Sequence, residues 1–248
     1  MSESRSPDWL PVSSGSYGVA AALAVAAWVL LEVAFRHGVA AVLADPLGTA
    51  LGADMAATLL FLPVAAFVVT ELGAAAGVGR ADWDYDVSLR PLVAGVGGTV
   101  LFFALYLAAL AGLVAALGAP QSAGLGGGGA GGTGAPTWAL ALFVAVNGVA
   151  VPVAEELAWR GVVQTALTER LGVAAAVAVT AVAFVLKHLV VDAPVLLGAS
   201  ALVVGTRLAS LVLLSAVLCL LRARYGTASS TVAHVCMNVP ASLAALLA

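Results

Sequence analysis

Three short groups of polar residues sit inside apolar sequence in the second half of the 248-residue chain: EELAWRG (Glu155 to Gly161), FVLKH (Phe184 to His188) and HVCMN (His234 to Asn238). On a membrane-spanning helix each charged side chain costs roughly 2.5–3.5 kcal/mol on insertion scales, so it needs a partner or a task. Glu156 and Arg160 are four apart and meet on one helical face as an ion pair. Glu155 points about 100° away and stays available for another partner. His234 and Asn238 share a face in the same way and offer an imidazole and an amide N–H, both able to donate to a developing oxyanion. His188 closes its apolar run alone and needs a hydrogen-bond partner, for which a carboxylate is the natural choice. A glutamate beside a neutral imidazole can activate water as a general base. No serine or cysteine stands in a nucleophile motif, so water is the expected attacking group.

Two other chemistries use the same residues. Zinc held by Glu155, His188 and His234 is possible, but there is no HExxH and the paired donors serve without a metal, so the expectation is no cofactor, with zinc as the alternative. A transporter could relay protons through the Glu and His groups, and a non-catalytic membrane protein could use the same fold for immunity or partner binding.

The elements that position these residues must be membrane helices. Apolar residues make up 62% of the chain and charged residues 9%, against roughly 45–50% and 25% in soluble domains. Ten basic and 13 acidic residues are too few to cover a soluble surface of this size, and the mean hydropathy is +1.10. The net charge of −3 gives no reason to expect nucleic acid as a partner. Seven segments have the ~20 apolar residues that a span needs: about Tyr17 to Phe35, Met55 to Gly77, Pro91 to Leu117, Thr137 to Ala154, Leu171 to Val191, Pro194 to Leu221, and Thr231 onward. The fold class is thus an all-α polytopic membrane protein, a bundle of seven to eight transmembrane helices, the eighth arising if the sixth segment breaks at Gly205-Thr206-Arg207. The expected divisions are a polar cytoplasmic tail (1–16), N-terminal transmembrane helices (17–117), a glycine-rich outer linker (118–136) and a catalytic core (137–248).

Geometry adds one requirement. With straight spans Glu155 falls near one end of its helix and His188 near the opposite end of the next. The site closes only if the fourth helix continues past Glu155 toward Leu167. Pro152 and Asn147-Gly148 are expected to loosen that helix, which is tolerated where it lines a protein cavity. Arg5, Arg80, Arg90, Arg160, Arg170, Arg222 and Arg224 fall on one side of the bundle and Arg36 on the other, which places the N-terminus in the cytoplasm and the chain in the cell membrane. Cys219 and Cys236 read as packing residues. Glu32, Arg36 and His37 read as an outer-surface cluster, Trp9, Trp28 and Trp138 as interfacial anchors or packing residues, and Arg207 as a gate or a helix break.

The order EELAWR, FVLKH, HVCMN resembles the pattern EExxxR, FxxxH, HxxxN of the CPBP (CAAX protease and bacteriocin-processing, or Abi) family of intramembrane peptidases, which is Rce1-like. The resemblance covers about residues 137–248, and LLRARYGTASSTVAHVCMN is similar to the family's basic turn and glycine before its last helix. It implies an intramembrane glutamic endopeptidase in which Glu155 and His188 activate the water, His234 and Asn238 form the oxyanion site, and Glu156 and Arg160 support the geometry. It also implies a membrane-associated peptide or protein as substrate. This chain departs from the family in having Ser215 and Cys219 where glycines are frequent, and in carrying Lys187 beside His188.

Overall fold

The computed structural model describes residues 14–118 and 136–247, so most of the expected tail and linker lie outside the described residues. The described residues form seven long helices and no strand. They are α1 (Ser16–Leu47), α2 (Ala50–Ala75), α3 (Leu89–Leu117), α4 (Thr137–Leu171), α5 (Val173–Leu196), α6 (Ala201–Tyr225) and α7 (Thr227–Leu247). The first six are each long and apolar enough to cross a membrane, and this is a multi-pass membrane protein.

Several expected boundaries move. The fourth segment does not stop at Ala154 but runs on to Leu171, as the site geometry required. Pro194 does not open the sixth helix; it lies in the last turn of α5, and Ser200 caps α6 by accepting from the Val203 amide. The sixth helix is unbroken through Arg207, which leaves seven long helices among the described residues. Arg160 is fully buried within α4 and so drops out of the arginine asymmetry.

Helix α4 is the hub, touching α1, α2, α5 and α7, while α3 packs on α6 and α7. One core cluster joins α1, α2, α4 and α5 around Trp28, Phe61, Trp159 and Phe184. A second joins α3, α6 and α7 around Phe102, Leu218 and Met237. Water drives little of this association inside a bilayer, so close backbone approach matters more. On α3, a Cβ at Gly95 would lie 2.6 Å from the Ser229 carbonyl oxygen, and one at Gly98 2.5 Å from Leu221. The opposite side of α3 (Val93, Val96, Val100 and Leu107) is exposed, as a lipid-facing surface should be.

A short loop closes one end of the bundle. The turn Arg80–Trp83 lays Trp83 on Gly161 of α4. Thr227 donates its amide to the Asp84 carbonyl (2.9 Å) and its hydroxyl to the Trp83 carbonyl. Gly226, between α6 and α7, has φ +84° with the Asp84 carbonyl against it, a place for no other residue. In the same loop the Ser88 hydroxyl and amide donate to Asp86 (2.6 and 2.9 Å), which holds its carboxyl below the usual value.

Candidate active site

The backbone of α4 departs from α-helix twice, at Val146–Ala150 and at Glu156–Val163, both π-helical. Such turns bond i to i+5 and recur at functional sites. At the first, the residue five places after Asn147 is Pro152, which has no N–H. The Asn147 carbonyl instead accepts from Asn238 Nδ2 at 3.1 Å, which ties α7 to α4 at the site. In the second π segment the Arg160 carbonyl accepts from Arg222 Nε at 3.2 Å.

Glu155 and Glu156 fall at the boundary between the short α stretch and the second π segment, and they go to different partners. Glu156 Oε1 lies 3.1 Å from an Arg160 terminal nitrogen and 2.9 Å from His234 Nδ1. The Glu156 and Arg160 side chains are 0% exposed, and the Arg160 guanidinium lies 4.3 Å over the Phe184 ring. Glu155 Oε1 accepts from Lys187 Nζ at 2.5 Å, and its Oε2 stands 3.9 Å from His234 Nε2, too far for a hydrogen bond. Lys187 also reaches Glu32 Oε2 of α1 at 3.1 Å, and Trp28 Nε1 donates to the same oxygen at 2.9 Å.

Hydrogen-bond logic assigns the imidazoles. His188 Nδ1 lies 2.9 Å from the Phe184 carbonyl. A carbonyl only accepts, so Nδ1 carries the proton and Nε2 of the neutral ring offers a lone pair. His234 Nδ1, facing the carboxylate that also neutralises Arg160, is likewise the donor, and its Nε2 faces Glu155.

All four sequence-predicted residues line one cavity of about 220 Å³: Glu155 from α4, His188 from α5, and His234 and Asn238 from α7. Two ion pairs stand at its rim. Arg36 lies 3.6 Å from Asp54, and Arg207 grips Asp192 at 2.9 and 2.5 Å. Among the described residues no three His, Cys, Asp or Glu side chains are arranged to hold an ion.

A family model described as type II CAAX prenyl endopeptidase Rce1-like matches residues 137–240, an interval that opens with α4 and contains all three polar motifs. Residues 137–240 are thus similar to that family. No curated protein and no solved structure matches the chain.

Several residues at the site stand differently from what the sequence suggests. Glu32 is not part of an outer-surface cluster: it is 7% exposed and faces Lys187. Trp28 is buried against it, which fits the packing role of the two expected for it and not the interfacial one. Arg207 neither breaks its helix nor stands alone, because Asp192 pairs with it. The carboxylate expected to partner His188 is held by Lys187, while His188 finds its own helix's carbonyl. One signal was available: Glu32 and Lys187 are opposite charges, each stranded in an apolar run, and such charges seek one another.

Proposed function

We propose that this protein is an intramembrane endopeptidase that hydrolyses a peptide bond of a membrane-associated peptide or protein with a water activated by Glu155 and His188. The observation that carries the reading is the free side of Glu155. Among the described residues its Oε2 has no hydrogen-bond partner and faces His234 Nε2 across 3.9 Å, in a cavity shared with His188 and Asn238. Glu155 takes one proton from the water, and the His188 Nε2 lone pair accepts the other O–H and orients it. As the water oxygen bonds to the scissile carbonyl carbon, charge moves to the carbonyl oxygen. Asn238 has a second amide N–H to offer it. His234 donates from Nε2 when both ring nitrogens carry protons, with Glu156 as its counter-ion. Collapse of the intermediate breaks the C–N bond, and Glu155 returns its proton to the leaving amine. Glu156 and Arg160 act by holding His234 rather than by touching substrate.

The same reading places the protein in the cell membrane with a cytoplasmic N-terminus, supported by Arg5, Arg80, Arg90, Arg170, Arg222 and Arg224 against Arg36. Residues 137–248 form the catalytic core, and 17–117 supply packing helices and Glu32. The test is cleavage of a panel of membrane-anchored peptides by purified protein. Glu155→Gln keeps size and hydrogen bonding but removes the base, so turnover should fall by about 10²–10⁴, with folding retained. Cleavage by Glu155→Gln at the native rate refutes the role. A proton-relay carrier would show no cleavage in any variant.

A further inference from the structure

Lys187 is the one charged residue beside Glu155 that the reaction above leaves without a task. It is 2% exposed, and its ammonium bridges two carboxylates, Glu155 Oε1 at 2.5 Å and Glu32 Oε2 at 3.1 Å. A carboxylate at the end of a glutamate turns over a broad, nearly two-fold torsion, so its two oxygens are interchangeable unless something distinguishes them. Here something does. A charge-assisted hydrogen bond claims Oε1 and leaves Oε2 for the cavity.

The ammonium is itself fixed. Lysine is a compact charge on a flexible stem and holds a position only if several partners share it. Glu32 supplies the second partner, Trp28 fixes Glu32 through its indole N–H, and Arg36 balances the charge at 3.6 Å. The chain Trp28–Glu32–Lys187–Glu155 thus crosses from α1 through α5 to α4. Two of its members lie on α1, outside the 137–240 interval.

We infer that Lys187, held by Glu32 of α1, is a positioning residue that fixes the rotation of the Glu155 carboxylate, so that its unpaired oxygen faces the reacting water. This rests on the peptidase reading. It makes α1 a working part of the site: without Glu32, Lys187 keeps one carboxylate and Glu155 regains its rotational freedom. Misplacement of a reacting group by an ångström costs on the order of 10²-fold in rate.

The experiment compares kcat, KM and Tm for Lys187→Ala, Glu32→Met and Glu32→Gln in the full chain, with the same membrane-anchored peptides. Lys187→Ala should lose roughly 10²-fold in kcat with KM little changed, because the contact acts on the reacting group and not on bound peptide. Methylammonium chloride, small enough for the vacated space, should restore about tenfold of that loss, and should restore nothing to Glu155→Gln. Glu32→Met should lower kcat about tenfold at an unchanged KM, while Glu32→Gln, which keeps an acceptor for Lys187, should stay closer to native. Should Lys187→Ala fail to fold, the Glu32 pair decides. Glu32→Met with native kcat, or a folded Lys187→Ala with native kcat, overturns the inference, as does a folded, slowed Lys187→Ala that methylammonium leaves unrestored. Failure of the peptidase reading looks different: native and Glu155→Gln proteins then cleave equally.

Discussion

Replacing Glu156 with Gln tests the central ion pair without touching substrate. Glu156 and Arg160 are both 0% exposed, and Glu156 Oε1 also holds His234 Nδ1 at 2.9 Å. The substitution leaves Arg160 a buried cation without its counter-ion, which typically costs ~3–5 kcal/mol. The Gln carbonyl can still accept one hydrogen bond, worth about 1 kcal/mol net. The cation–π contact with Phe184 is present before and after and offsets nothing. The remainder is ~2–4 kcal/mol, and for a chain of this size each kcal/mol shifts Tm by about 2–4 °C, which predicts a fall of roughly 4–16 °C. Thermal unfolding of the purified protein in detergent measures it. The double variant Glu156→Met/Arg160→Met removes both charges and should recover most of the loss, since apolar replacements of buried pairs are often neutral. A single variant that melts with the native protein, or a double variant no better than the single one, refutes the reasoning.

Other outcomes follow from packing and charge. Gly98→Leu should separate α3 from α6 and destabilise by about 1–3 kcal/mol, whereas Gly97→Ala, with nothing within 4 Å, should leave Tm unchanged or raised. Cleavage should survive removal of divalent ions, because Glu155, His188 and the donors at His234 and Asn238 complete the reaction; loss in chelator with recovery on stoichiometric Zn²⁺ would point to a metalloprotease. Single cysteines at Ser4 and Ser122 should react with impermeant reagents from opposite faces of the membrane, and labelling from the same face would sink the orientation.

Local spacing was legible; distant pairing was not. Glu156 and Arg160 four residues apart, and the need for α4 to pass Glu155, follow from helix geometry alone, and both hold. The partner of Glu155 does not follow, because Lys187 meets it only through the packing of α5 on α4 and α1. Glu32 read as surface because α1 is apolar all round, so its sequence marks no buried face. The first π turn lies at Asn147-Gly148, where the helix was expected to loosen, and Pro152 marks a carbonyl that must be satisfied from outside; the second left no trace in the apolar pattern. Pro194 misled because proline serves equally as a first helical residue; Ser200, a good N-cap, was the better marker of where α6 begins.

The loop from Arg80 to Asp84, pressed against Gly161 and Thr227, has a consequence for the traffic of substrate. It stoppers one end of the bundle, while Arg36 and Arg207, with side chains 33% and 42% exposed, stand at the other, near the turns at Gly48 and 197–200. A chamber with one door samples one compartment. A water-borne molecule reaching Glu155 would pass that end, so the direction in which the chain inserts decides which compartment the cavity samples.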